Sequence, residues 1–234
     1  MSKPSGANVV IQGGTAEAKR LADMLPHAQF IRAIDTRGGP VNAGALTAEA
    51  LRQTGASLLV DACHPFDIAS HYRAVRAAGS AGVSYVRFLR PAWTQSPRDH
   101  WVQIDRACSL RRVVPNAARL FAATGREELN AFKPLHAHVF WRSVGDERVT
   151  LPLRNSHVLP AEGPFTVEGE MALFRKLRID WLVVRNAGGQ GAWPKIEAAR
   201  RLGLQVAMID RPKSLKGPVL GSVDEVIEWI EKTL

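Results

Sequence analysis

The chain has 234 residues, 46% of them hydrophobic, enough for one large or two small domains with a proper core. Its 31 Lys and Arg against 22 Asp and Glu leave a net charge of +9, scattered along the chain, which points to a basic surface for a polyanion and away from a basic tail. No zinc-binding spacing, aromatic RNA-binding motif or helix-turn-helix accompanies that charge, no apolar run is long enough for a membrane span, and Cys63 and Cys108 make no C-x-x-C pair. These features predict a soluble cytoplasmic protein with neither metal nor nucleic acid bound; a monomer is expected in preference to an oligomer.

The first element is the apolar run 8–12, followed at once by Gly13-Gly14-Thr15 and a helical stretch over 15–25 that opens at Ala16. A strand, a glycine turn and a helix start together offer unspent backbone N–H groups and a positive dipole end to a phosphate. The turn also reads as plain helix-on-strand packing, because the motif is not the full G-x-G-x-x-G. The strand at 30–34 leads to Asp35 and Arg37, about twenty residues past the turn, where an acid favours NAD and an arginine the 2′-phosphate of NADPH. After a helix at 47–54, the strand 57–61 is apolar without alternation, as in a parallel sheet covered on both faces.

That strand ends in Asp61-Ala62-Cys63-His64-Pro65-Phe66-Asp67, a polar turn that reads either as a ligand site or as a helix cap by Asp61 beside a hydrogen-bonded His64. A helix at 68–78 and a strand at 84–89 complete the first half. The second half repeats the alternation: helix 106–113, strand 118–123, helix 126–132, strand 138–141, helix 168–177, strand 181–184, helix 194–203, strand 205–209 and helix 222–232. The last helix follows a capping box, Ser222-x-x-Glu225.

An internal echo supports two similar halves. The strand 57–61 and the strand 181–184 each lead through a polar loop and a helix to a strand ending in Arg-Pro, at Arg90-Pro91 and Arg211-Pro212. The pattern predicts an α/β fold of two similar Rossmann-like halves, residues 1–105 and 106–234, with mainly parallel sheets and a cleft between them. Ligands in such sheets bind at the carboxyl ends of strands. Four of those ends are polar: the glycine turn, the 61–67 turn, Thr124-Gly125-Arg126, and Arg185-Asn186-Ala187-Gly188-Gly189 with Lys195 beyond it. Gly163-Pro164-Phe165 forms a further loop-to-helix entry, with Glu170 a first-turn acid that the helix dipole favours.

The strings Gly13-Gly14-Thr15-x-Glu17-Ala18, Asp61-Ala62-x-His64-Pro65-Phe66, Arg90-Pro91-x-Trp93, Thr124-Gly125-Arg126, Gly163-Pro164-Phe165 with Glu170, Asn186-x-Gly188-Gly189 with Lys195, and Arg211-Pro212 together resemble the precorrin-6A reductase family of cobalamin biosynthesis. The chain departs from the family's pattern at Cys63, where Thr is usual, at Arg185, where Lys is usual, and in a shorter stretch between the strands 30–34 and 57–61. The resemblance implies NADPH-dependent reduction of a polycarboxylated tetrapyrrole-derived ring, by hydride transfer to one ring carbon and protonation of its neighbour. It further implies that Gly13, Gly14, Thr15, Ala16 and Arg37 hold NADPH. Arg126, Gly163, Phe165, Glu170, Arg185, Asn186, Gly188 and Lys195 would hold the substrate, and Asp61 or His64 would orient the nicotinamide or relay the proton. The competing readings are another NADP-linked reductase of a polycarboxylated substrate and a non-catalytic nucleotide or nucleic-acid binding module.

Overall fold

The computed structural model describes residues 8–32, 46–144, 151, 153, 155–213 and 217–234. Asp35 and Arg37 lie outside the described residues. The chain divides into two compact units, one of Met1–Pro91 with Pro212–Leu234 and one of Ala92–Arg211.

The first unit contains β1 (Asn8–Gly13), α1 (Ala16–Met24), β2 (Gln29–Arg32), α2 (Ala48–Gln53), β3 (Ala56–Ala62), α3 (Ile68–Ala81) and β4 (Ser84–Phe88). The second contains β5 (His100–Ile104), β6 (Arg119–Ala123), β7 (His138–Val144), β8 (Ser156–Ala161), α4 (Val167–Leu177), β9 (Trp181–Arg185), α5 (Trp193–Leu202) and β10 (Gln205–Ile209). The chain then returns to the first unit as β11 (Val219–Leu220) and α6 (Val223–Thr233). Residues 92–105, expected with the first half, supply β5 to the second sheet. Residues 212–234, expected with the second half, pack on the first. The helices expected at 106–113 and 126–132 are short 3-10 helices, Ala107–Arg112 and Arg126–Phe132.

Both sheets are parallel throughout, in the orders β11-β4-β3-β1-β2 and β5-β10-β9-β6-β7-β8. The echo in sequence is therefore an echo in topology: β4-β3-β1-β2 and β10-β9-β6-β7 have the same order. In each, the chain winds outward from a central strand and then crosses to its other side, so the winding reverses between β1 and β3 and between β6 and β9.

Strand alternation assigns the faces of each sheet. In the first, Val9, Ile11, Leu58, Val60, Val86 and Phe88 pack with α1 and α6, whereas Val10 and Leu59 pack with α2 and α3. In the second, Phe121, Leu182, Val184 and Met208 meet Phe174 of α4 and Ile196 of α5. Trp141 faces the opposite side, edge-on to Phe132 at 5.5 Å. Each such large side chain contributes about 1.5–3 kcal/mol on burial. Among the described residues, every α-helix but α5 starts where a short polar side chain caps it. Thr15, Asp67, Thr166 and Ser222 each accept an N–H from the first turn that follows. At α6 the Glu225 carboxylate also accepts the Gly221 N–H at 2.7 Å. Among the described residues no helix is long and apolar enough to cross a membrane.

Candidate active site

The polar strand ends singled out in the sequence fall in pairs on the two points where the winding reverses. The glycine turn ends β1 and the 61–67 turn ends β3. Thr124-Gly125-Arg126 ends β6, and Arg185-Asn186-Ala187-Gly188 ends β9. Adjacent crossovers leave opposite faces of the sheet there, which opens room at the carboxyl edge for a ligand.

In the first unit, Gly13 lies beside Ala62 in the β1–β3 register. A Cβ on Gly13 would sit 2.5 Å from the Ala18 Cβ and 2.8 Å from the Ala62 carbonyl oxygen, so only glycine allows β1, β3 and α1 to converge. Gly14 is exposed just beyond. Thr15 Oγ1 accepts the Ala18 N–H at 3.0 Å and donates to Ala62 O at 3.4 Å, tying the helix start to β3. The first turn, Ala16 onward, presents its N–H groups at this edge. Glu17 in that turn would repel a phosphate, but Arg90 NH1 pairs with its carboxylate at 2.5 Å. The residues present therefore fit a dinucleotide phosphate. Gly13→Ala should cost about 1–3 kcal/mol through overpacking. It should lower the urea midpoint at constant slope; an unchanged midpoint would contradict the crowding described.

Asp61 is fully buried. Its Oδ2 meets His71 Nδ1 at 2.6 Å and accepts the Tyr85 hydroxyl at 2.9 Å, and its Oδ1 accepts the Cys63 N–H at 3.2 Å. Arg87 NH2 lies 2.6 Å from His71 Nε2. A guanidinium only donates, so Nε2 accepts and Nδ1 carries the proton given to Asp61. Burial acts to raise the Asp61 pKa, but the bonds from His71, Cys63 and Tyr85 outweigh it and hold the carboxyl below its ordinary value. An ionised carboxylate already taken by three donors has no proton to give at neutral pH. Asp67, and not Asp61, caps α3, accepting the Ser70 N–H at 3.0 Å. His64 is partly exposed, and its Nδ1 accepts the Phe66 N–H at 3.3 Å.

In the second unit the expected substrate residues separate into three groups. Arg185 NH1 pairs with Glu127 at 2.5 Å, which joins the end of β9 to the 3-10 helix that Arg126 opens. The Asn186 side chain accepts the Trp93 N–H at 2.8 Å and donates to the Trp93 carbonyl at 3.0 Å. Gly188 and Gly189 follow with φ of 67° and 77°, a left-handed pair that favours glycine. The Gly189 carbonyl accepts Trp93 Nε1–H at 3.0 Å. Arg211 donates to the Asn186 and Ala187 carbonyls at 2.7 and 2.9 Å.

The third group centres on Arg142 of β7. Its NH1 and NH2 meet the two Glu170 carboxylate oxygens at 2.5 and 2.9 Å, with both side chains at most 5% exposed. The guanidinium lies between the Phe121 and Phe165 rings, 4.7 and 4.4 Å from their centroids. Gly163 is joined to Pro164 by a cis peptide bond two residues before Phe165. Lys195, in the first turn of α5, is buried and donates to the Ala192 carbonyl at 3.0 Å. Burial lowers its ammonium pKa to about 8, with the Glu170 charge opposing and the Arg142 charge assisting that shift. Phe165, Glu170 and Lys195 thus come together around an arginine that the sequence did not single out. A charge directly after the apolar run Val139-Phe140-Trp141 and within the same strand is the available signal, since such a charge needs a partner.

Two doubly wound parallel units with polar loops at both reversal points define a Rossmann-like α/β protein. The comparisons make the class specific. The family model for precorrin-6x reductase CbiJ/CobK matches residues 8–231, and the chain belongs to that oxidoreductase family. It is 34% identical to precorrin-6A reductase of Rhodobacter capsulatus, over 95% of this chain and 95% of that one. It is also 34% identical to that of a Sinorhizobium species, over 98% of this chain and 94% of the relative. A solved structure of CobK precorrin-6A reductase superposes with a TM-score of 0.87 at 32% identity, covering 97% of each chain.

Proposed function

We propose that the protein reduces precorrin-6A to its dihydro product precorrin-6B in cobalamin biosynthesis, with NADPH as the reductant. The observation that carries this reading is the pairing of the glycine turn with the 61–67 turn at the reversal point of the first sheet, in a chain of the precorrin-6x reductase family. Gly13, Gly14, Thr15 and the Ala16 end of α1 hold the cofactor phosphates, and Arg37 takes the 2′-phosphate. Bound dihydronicotinamide supplies the hydride. The Asp61 network positions the 61–67 turn, and His64, at its partly exposed side, orients the nicotinamide ring. In the second unit Arg126, Arg185 and Lys195 attract the carboxylates of the tetrapyrrole-derived substrate. Gly163, Phe165, Glu170, Asn186 and Gly188 shape its seat. Exposed charge pairs contribute only about 0–1 kcal/mol each, so binding needs several of them together with apolar contact to the ring.

Fluorescence titration with NADPH and NADH tests the cofactor assignment. The expected result is much tighter NADPH binding, with Arg37→Ala removing the difference. Affinity for neither cofactor, with salt-sensitive DNA binding in their place, would overturn the reading.

A further inference from the structure

The Arg142–Glu170 pair leaves one edge of the guanidinium open. A guanidinium carries five N–H groups in one plane. Arg142 meets Glu170 end-on, through its two terminal nitrogens, and both carboxylate oxygens are taken. End-on pairing uses two N–H groups and leaves the side edge, Nε–H with the outer N–H of one terminal nitrogen. That edge is a second fork of the kind that matches a carboxylate. Its Nε is buried and, among the described residues, has no hydrogen-bond partner. Lys195 adds further donors. Its ammonium carries three N–H groups and uses one, on the Ala192 carbonyl.

Charge points the same way as the donors. Glu170 of α4 and Arg142 of β7 are the charged groups that act on the Lys195 amine. Two cations and one carboxylate give the cluster an excess of one positive charge, and all three side chains are buried. A buried charge without a counter-charge is costly, and one singly charged anion removes that cost. The three residues belong to the second unit and come from the later part of β7 and the first turns of α4 and α5. That is the end of the sheet at which parallel α/β folds bind ligands. We propose that Arg142 and Lys195 form a binding site for one carboxylate, occupied in the reaction by one carboxylate arm of the substrate. The second clause rests on the reading under Proposed function. Arg142 takes the arm on its side fork, and Lys195 takes it on its remaining N–H groups. Glu170 does not touch the arm; it is a positioning residue that holds the guanidinium plane.

Two readouts test this. The first uses propionate as the probe on protein labelled with 15N at the lysine side chains, the Lys195 Nζ resonance being assigned by its loss in Lys195→Arg. Propionate should shift that resonance saturably, with a Kd in the millimolar range, and neutral propionamide should not. An anion beside an amine favours the ammonium, so propionate should also move the Lys195 titration midpoint up from about 8. No saturable shift with propionate, or an equal one with propionamide, would overturn the site. The second readout is turnover of precorrin-6A. The double variant Arg142→Met with Glu170→Leu removes the fork and its counter-charge together, so neither charge of the pair is left buried alone. It should raise KM by about tenfold or more, the worth of a charge-assisted hydrogen bond. Lys195→Met should raise KM by a similar factor, and Lys195→Arg by much less because the charge stays. A wild-type KM in a double variant with the wild-type circular dichroism would make the Arg142–Glu170 pair structural only and overturn the proposal. Should that variant not fold, Arg142→Lys, which keeps a cation for Glu170 and lacks the fork, carries the same comparison with the same two outcomes. Protein that binds propionate at Lys195 and reduces nothing would leave the carboxylate site standing and overturn the proposed function instead.

Discussion

Glu170→Ala should destabilise the second unit by about 3–5 kcal/mol, because it leaves the Arg142 guanidinium buried between two phenyl rings without its counter-charge. For a chain of this length that corresponds to a loss on the order of 10 °C in Tm. Five of the six tryptophans lie within Ala92–Arg211, so tryptophan fluorescence during urea unfolding reports mainly on this unit. The double variant Arg142→Met with Glu170→Leu removes both charges and should recover most of the lost stability. The energy at stake is the cost of one unpaired buried charge and not the worth of the pair. A double variant as unstable as Glu170→Ala would refute that account.

Asp61→Ala should produce a comparable loss in the first unit, about 3–5 kcal/mol, by stranding the His71 Nδ1–H, the Tyr85 hydroxyl and the Cys63 N–H at one buried point. The effect has a definite pH dependence. The folded-state pKa of Asp61 lies below its ordinary value, so the stabilisation is complete above about pH 4 and fades as pH falls through the lower folded value. The gap between wild type and variant should therefore be full at neutral pH and narrow in acid. A gap that widens on acidification would contradict an ionised Asp61 as the hub of the network. Tyr85→Phe, which removes one donor of three, should cost only about 1 kcal/mol.

The parts of this fold that were legible in sequence are those with a strong physical signature. β1, β3, β6, β9 and β10 are interior strands, flanked by neighbours and covered on both faces, so they appear as unbroken apolar runs. The strands that left no such trace, β5, β8 and β11, all lie at a sheet edge. An edge strand has one neighbour and tolerates polar residues and proline, as His100, Gln103 and Pro160 show. The boundary between units was blurred for the same reason, since β5 and β11 close the two sheets.

At the candidate site, strand ends rich in glycine and polar residues were visible, and topology explains why they matter in pairs. The residues that bind them together were less visible. His71 and Arg87 sit within α3 and β4, about ten and about twenty-five residues from Asp61, and nothing in spacing alone assembles them. Glu170 looked like a dipole-favoured first-turn acid, yet both its oxygens are spent on Arg142. Asn186 looked like a loop residue open to a ligand, yet its amide clamps the Trp93 backbone.

The most direct test of the central claim is an anaerobic single turnover of precorrin-6A with NADPH deuterated at nicotinamide C4, on each face in turn, with the product weighed by mass spectrometry. The account predicts that one labelled face, and not the other, adds a single deuterium to the product as NADPH is consumed, with the second new hydrogen drawn from solvent. A product that carries no deuterium from either face, or substrate left unreduced while NADPH persists, would contradict it.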